Sequence, residues 1–190
     1  LGYFAKTFSR ITSKGKVICV EPLPQYFEVL THFLGKKKNV TLHNVALGKE
    51  SGTVTMVLPM QDGMIRTGLP YVSKEKTSSN ERTQEVRIVN PLSLIEGEPK
   101  LDYIKCDIEG YEWVVFQALK PALIKHLPIV QIEITHKNLK DFIAFFAELE
   151  YVQYGIANHE VIKEDGAQNE VGDYLFIPES KEESFLNRLK

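Results

Sequence analysis

Three acidic residues, Asp107, Glu109 and Glu112, lie within Lys105–Glu112 (KCDIEGYE). Asp107 and Glu109 share one face if a strand runs that far, and Glu109 and Glu112 share one face if a helix has begun. Repulsion within a buried cluster raises the pKa of one carboxyl, which can then act as a base or a metal ligand. Alternatively, these residues cap a helix N-terminus and stabilise its dipole. Both interpretations stay open at this level.

Another acidic residue, Glu21, directly follows the apolar run Lys16–Val20 (KVICV) and precedes Pro22. A carboxylate at the end of a buried strand can accept hydrogen bonds from both hydroxyls of a ribose. In dinucleotide-binding folds it follows the glycine loop by about 20 residues. Gly2 lies 19 residues before Glu21, which fits the end of such a loop. The alternative is a surface glutamate at a strand–turn junction.

Two polar residues stand at the end of the apolar run Ile129–Ile134 (IVQIEI). Glu133 interrupts the run, which costs free energy unless Lys105 on a neighbouring strand pairs with it or a ligand faces it. His136 follows, and a histidine with a pKa near neutrality is suited to general-base work. Its alternative is a solvated or packed residue.

Asn44 follows His43 at the end of another short predicted strand. Ligands of open α/β sheets bind outside the carboxyl ends of the strands. Asn44 therefore either bonds an adenine edge or shapes the turn into Ala46–Gly48.

The composition excludes several classes of protein. Lys and Arg number 23 against 25 Asp and Glu, so the chain lacks the basic excess with which proteins grip a nucleic acid backbone. No apolar run approaches the roughly 18–20 residues that span a bilayer. Two cysteines exclude a disulfide framework. No dedicated set of metal ligands is visible, although a cation bridging Asp107 and Glu109 is conceivable.

Strands alternate with helices along the chain, which indicates an α/β fold with a mostly parallel sheet. Helices are predicted at Gly2–Ile11, Pro24–Gly35, Glu112–Lys125 and Asn138–Leu149. Strands are predicted at Lys16–Val20, Val40–Leu47, Thr53–Leu58, Glu85–Val89, Leu101–Ile108, Ile129–Ile134, Tyr151–Ile162 and Val171–Ile177. The last two strands have no helix between them and should pair antiparallel. We expect one domain over residues 1–190, with Met60–Arg82 as a long loop of the kind that forms a lid.

These stretches resemble the FkbM family of S-adenosylmethionine-dependent methyltransferases. The resemblance is carried by Leu1–Phe4, Val20–Pro22, Asn39–Gly48, Lys105–Glu112 and Val130–Ile134, and it covers the chain from Leu1 to about Leu149. The pattern K-x-D-x-E-G-x-E is its most specific part, whereas the E-P pair and the N-x-A-L-G stretch are weak when taken alone.

The resemblance implies a class I methyltransferase fold, a Rossmann-like three-layer sandwich whose sheet is mostly parallel with an antiparallel last strand. It implies that Glu21 holds the cofactor ribose and that Asn44 and its neighbours flank the adenine. The full set of expected cofactor-binding residues is Gly2, Tyr3, Glu21, Pro22, Asn44, Ala46 and Asp107. The expected catalytic residues are Asp107 or Glu109 as the base, with His136 as the third candidate.

The expected activity is methyl transfer from S-adenosylmethionine to a hydroxyl of a carbohydrate or natural product, so that the partner is a small molecule or a glycan. A nicotinamide-dependent oxidoreductase also explains Glu21, but it requires a G-x-G-x-x-G loop upstream and has no use for three adjacent carboxylates. An inactive, methyltransferase-like binding module is the third hypothesis.

The chain begins at Leu1, so targeting signals cannot be read from it; a cytoplasmic location is the working expectation. The first strand and the D-x-G-A-N loop of the family are expected to lie before Leu1. We therefore expect the chain as written to bind the cofactor poorly or to fold incompletely. The oligomeric state and the methyl acceptor have no signature in the sequence.

Overall fold

The computed structural model of this chain describes residues 2–61, 64–65, 71–72, 82–108, 110–157, 160–163 and 171–189. The chain forms two compact units, Leu1–Ile95 and Glu96–Lys190. In the described part of the chain, no helix combines the length and apolar character needed to cross a membrane. Most of the predicted lid, Met60–Arg82, lies outside the described residues.

The N-terminal unit contains three helices and eight strands among its described residues. They are α1 (Tyr3–Ile11), β1 (Val17–Val20), α2 (Pro24–Leu34), β2 (Val40–His43), β3 (Ala46–Leu47), β4 (Gly52–Leu58), β5 (Met60–Gln61), β6 (Met64–Ile65), β7 (Tyr71–Val72), β8 (Arg82–Val89) and α3 (Leu92–Ile95). Strands β1 and β2 form a parallel pair, β5 and β6 form a hairpin, and the third sheet has the order β3-β8-β4-β7.

Helices α1 and α2 pack against the β1–β2 pair through a small apolar core. Its buried members are Ala5, Val17, Leu30 and Leu34. Strand β1 forms because its residues, VICV, are apolar and mostly β-branched, a composition that suits a strand covered by helices. Pro24 begins α2, where its fixed φ and missing N–H cost nothing. The two helices therefore cover the strand that leads to Glu21.

The C-terminal unit contains one mixed sheet and three helices. Its elements are β9 (Tyr103–Cys106), α4 (Glu112–His126), β10 (Ile129–Thr135), α5 (His136–Glu148), β11 (Tyr151–Ala157), β12 (Glu160–Lys163), β13 (Val171–Pro178) and α6 (Glu179–Leu186). The strand order is β12-β11-β13-β10-β9. Strands β9 and β10 are parallel, and β13 runs antiparallel to both β10 and β11.

Aromatic side chains form the core of this unit. Phe146 of α5 stacks on Phe176 of β13 with ring centroids 4.0 Å apart, and Phe116 of α4 meets Phe146 edge-on. Helix α4 continues through Pro121. Gln117, whose carbonyl loses its helical hydrogen bond there, is exposed like Pro121, so water can satisfy that carbonyl.

The predicted α/β class is confirmed, and β13 is antiparallel as expected. The sheets are less parallel than predicted, because three described strand pairings are parallel and six are antiparallel. Parallel pairing needs a long crossover, usually a helix, and no helix is described between β4 and β8 or between β11 and β13. The stretch predicted as one strand over Val40–Leu47 is divided into β2 and β3 at Asn44.

Gly2→Ala should destabilise the protein by at least about 1 kcal/mol. Gly2 has a φ of +65°, and a Cβ there would lie 2.5 Å from Leu30 Cδ2, so both the left-handed backbone and the helix contact disfavour a side chain. Urea unfolding measures the loss. Gly52→Ala is the matched control, since a Cβ there meets nothing within 4 Å. Equal stability of the two variants would contradict this account of Gly2.

Candidate active-site residues

The chain directly after β1 is held by the chain after β2. The N–H of Glu21 donates to the carbonyl of His43 (3.0 Å) and extends the parallel ladder by one step. The side-chain amide of Asn44 donates to the carbonyls of Glu21 (2.9 Å) and Pro22 (3.0 Å). Asn44 therefore fixes the turn that carries Glu21. The sequence had suggested that it shapes another turn, the one into Ala46–Gly48.

The carboxylate of Glu21 turns back onto its own loop. Its Oε1 accepts the N–H of Leu23 at 2.9 Å. Burial raises the pKa of Glu21, and the Leu23 hydrogen bond opposes part of that rise. A carboxylate has about four acceptor positions, so this single bond leaves Glu21 with capacity for the donors of a ligand.

Tyr26, in the first turn of α2, carries a buried hydroxyl that has no hydrogen-bond partner among the described residues. Burial raises the pKa of this phenol, and the charge of Glu21 raises it further. An acceptor with free positions beside an unused donor fits the hydroxyls of a ribose, the part of S-adenosylmethionine expected at Glu21. Tyr26 was not predicted from the sequence, because its helical spacing is typical of a core position.

The other expected cofactor-binding residues of this unit have structural surroundings of their own. Gly2 precedes α1 in a left-handed conformation and packs closely on Leu30. Tyr3 is 73% exposed and meets Phe4 edge-on. Pro22 is half-buried, and Ala46 is buried in β3 opposite Ile88.

Three carboxylates stand side by side at one end of the C-terminal sheet. Glu133 of β10 lies opposite Asp173 of β13. The register that pairs Lys105 with Gln131 brings the residue after β9, Asp107, beside Glu133. Burial raises the pKa of Glu133, as do the charges of Asp107 and Asp173.

A cation and one amide donate to Asp173, at one end of this row of carboxylates. Lys105, almost fully buried, places its Nζ 2.8 Å from Asp173 Oδ1. Gln131 donates to the same oxygen at 3.0 Å, and the hydroxyl of Tyr103 donates to Gln131 at 2.6 Å. Lys105 also lowers the pKa of Glu133. Asp173, which the sequence analysis missed, lies 68 residues from Lys105 along the chain, and only the strand register brings them together.

Glu112 plays a structural part. It is buried, and its Oε1 accepts the backbone N–H groups of Ile108 (2.9 Å) and Gly110 (3.2 Å). Gly110 has a φ of 92°, a conformation that glycine adopts without strain. Glu112, the first residue of α4, thus bonds two amides that precede the helix, and it does not cap the free amides of the helix itself.

The remaining predicted catalytic residues are only partly visible. Glu109 lies outside the described residues. His136 is the first residue of α5, and its side chain is not described. Asp107 is exposed. Within the described ranges, no group of three or more His, Cys, Asp or Glu residues is arranged to hold a metal ion.

Glu133→Gln should stabilise the protein at pH 8 by roughly 0.2–1 kcal/mol, the size of a cross-strand pair of like charges. Because folding raises the pKa of Glu133, the native state favours its protonated form, and the charged form weakens folding as the pH rises through that pKa. The advantage of glutamine should therefore disappear below the ordinary pKa of glutamate. Urea titrations between pH 4 and pH 8 measure it.

Glu85→Gln, at an exposed position of β8, is the matched control and should change stability little at any of these pH values. A Glu133→Gln variant that is less stable than the parent at pH 8 would show that its charge does not oppose folding.

The model of the methyltransferase FkbM domain family matches residues 2–154. A search of curated protein sequences gives no match. Among solved structures, the crystal structure of the methyltransferase FkbM from Methylobacillus flagellatus KT is similar, with a TM-score of 0.57 and 14% sequence identity. The alignment covers 93% of this chain but only 40% of that chain. Since the family match extends over most of the sequence, the chain belongs to the methyltransferase FkbM domain family.

Proposed function

We propose that this protein is an S-adenosylmethionine-dependent O-methyltransferase that acts on a hydroxyl of a carbohydrate or natural product. Membership of the FkbM domain family supports methyl transfer. The observation that carries the cofactor assignment is Glu21, a half-buried carboxylate at the carboxyl end of a parallel strand pair, with acceptor positions left for a diol.

Each unit has its own part in this proposal. S-adenosylmethionine, when bound, supplies a methyl group already activated by its sulfonium sulfur. Glu21 accepts hydrogen bonds from the ribose hydroxyls, and Asn44 positions Glu21 by holding the two carbonyls of its turn. Gly2, Tyr3, Pro22 and Ala46 are also proposed as neighbours of the cofactor.

An alcohol is a poor nucleophile until a base takes its proton. Asp107, Glu109 and His136 are the proposed bases, and the described contacts favour Asp107. It is exposed and so accessible to an acceptor, and the register of β9 and β10 places it beside Glu133 at the carboxyl end of the parallel pair.

The finer features of the fold belong to the same proposal. We propose a class I methyltransferase arrangement in a single domain. The strand order β9-β10-β13-β11, with β13 antiparallel between its two neighbours, supports it within the C-terminal unit. We further propose a small-molecule or glycan acceptor rather than a nucleic acid, in keeping with the balanced charge, and a cytoplasmic location.

Glu21→Ala should weaken binding of S-adenosylhomocysteine to the full-length protein at least tenfold, because it removes the acceptor for the ribose hydroxyls. Isothermal titration calorimetry at pH 7.5 measures the affinity. Glu28→Ala, at an exposed position of α2, is the control and should bind like the parent. Unchanged affinity in Glu21→Ala would remove Glu21 from the ribose role.

Asp107→Asn should lower kcat for methyl transfer by about 100-fold or more, the usual contribution of a general base. Transfer of a tritiated methyl group to a panel of sugars and glycosides measures kcat. A parent protein that binds S-adenosylhomocysteine but methylates no hydroxyl compound would favour the inactive binding module. A variant as active as the parent would exclude Asp107 as the base.

A further inference from the structure

We propose that the hydroxyl of Tyr26 is a second recognition group for the nucleoside, donating a hydrogen bond to the same ribose hydroxyl that donates to Glu21. This inference rests on the proposed function, since it assigns an additional residue to the ribose site.

One residue, Leu23, couples Glu21 to Tyr26. Its N–H donates to Glu21 Oε1 at 2.9 Å, and its carbonyl accepts the N–H of Tyr26 at 3.0 Å. Leu23 is 1% exposed, so it anchors both bonds in the core. The carboxylate of Glu21 and the first turn of α2 are therefore held relative to one another by two hydrogen bonds and one buried side chain.

The hydroxyl of Tyr26 is the unexplained group. It is buried, and no described residue bonds it. Leaving a buried donor unpaired costs about 1–3 kcal/mol, and most buried hydroxyls have a protein or water partner. A ligand that forms a hydrogen bond with this hydroxyl therefore removes the free-energy cost of a buried donor that no described residue pairs.

The backbone around Leu23 indicates where that partner lies. Glu21 Oε1 accepts the N–H of Leu23 and the N–H of Tyr26 donates to the carbonyl of Leu23, so the carboxylate and the first turn of α2 are neighbours, yet no hydrogen bond among the described residues joins the phenol to the carboxylate. The charge of Glu21 also raises the pKa of Tyr26. Two polar groups that interact over more than hydrogen-bond distance are commonly bridged by one intervening group. A hydroxyl can donate to the carboxylate and accept from the phenol at once, which a ribose hydroxyl does in place of a water molecule.

Cys19 is the other side chain whose pKa is raised by the charge of Glu21. A thiol is a weak hydrogen-bond donor. The phenol of Tyr26 is a stronger donor than the thiol of Cys19, so Tyr26 is the better suited of the two to bind a ribose hydroxyl.

Tyr26→Phe should weaken binding of S-adenosylhomocysteine to the full-length protein by about threefold to tenfold, the range for one neutral hydrogen bond. The loss should disappear with whichever of the 2′-deoxy and 3′-deoxy analogues lacks the bridging hydroxyl. The melting temperature of the ligand-free variant should be unchanged or higher, because phenylalanine removes an unpaired buried hydroxyl. Calorimetry and thermal unfolding are the two measurements.

Tyr154→Phe is the matched control with the opposite pattern. The hydroxyl of Tyr154 donates to Glu182, so its removal should lower the melting temperature and leave the affinity for S-adenosylhomocysteine unchanged.

Two results would overturn the inference alone: a parent and a Tyr26→Phe variant with equal affinities while Glu21→Ala binds weakly, or a Tyr26→Phe variant whose ligand-free melting temperature falls as it does in Tyr154→Phe. A parent protein that does not bind S-adenosylhomocysteine would overturn both this inference and the proposed function.

Discussion

The two hydrogen bonds from the amide of Asn44 are the constraint on which the N-terminal unit depends. Carbonyls at the end of a strand lose their ladder partners, and a buried carbonyl needs another donor. One amide satisfies two of them, at Glu21 and Pro22, and joins the turns that follow both strands of the parallel pair. The backbone of Glu21 is thereby fixed. Burial raises the pKa of its carboxylate, and the hydrogen bond from the N–H of Leu23 offsets part of that rise.

The C-terminal unit retains an arrangement that folding disfavours. Asp107, Glu133 and Asp173 bring like charges to one end of the sheet. Lys105 forms an ion pair with Asp173 and lowers the pKa of Glu133. Residues that weaken folding in this way tend to stand at functional sites, since nothing in the packing requires them. The opposite face of β10 consists of fully buried Val130, Ile132 and Ile134, so the sheet does not depend on the carboxylates for its core.

The sequence predicted what local periodicity determines. Helix α4 was expected over Glu112–Lys125 and ends one residue later, and the strand before Glu21 was expected with its observed last residue. Register was not predictable, because the meeting of Lys105 with Asp173 depends on the antiparallel pairing of β10 with β13. The interpretations of Lys105–Glu112 stayed open for a related reason, since the backbone bonds of Glu112 arise only when the loop has closed.

The carboxylates at the strand ends differ in how many acceptor positions the protein fills. Glu112 is buried and takes two backbone N–H groups, so its charge is satisfied by the loop that it holds. Among the described residues, Glu21 accepts one backbone N–H and has the unpaired hydroxyl of Tyr26 as a neighbour, and Glu133 lies between two other carboxylates. A carboxylate that the backbone satisfies is part of the structure, whereas one that lacks donors is ready for those of a ligand. Within the described part of the chain, this difference supports the roles proposed for Glu21 and Asp107 and assigns Glu112 to the structure of the chain that leads into α4.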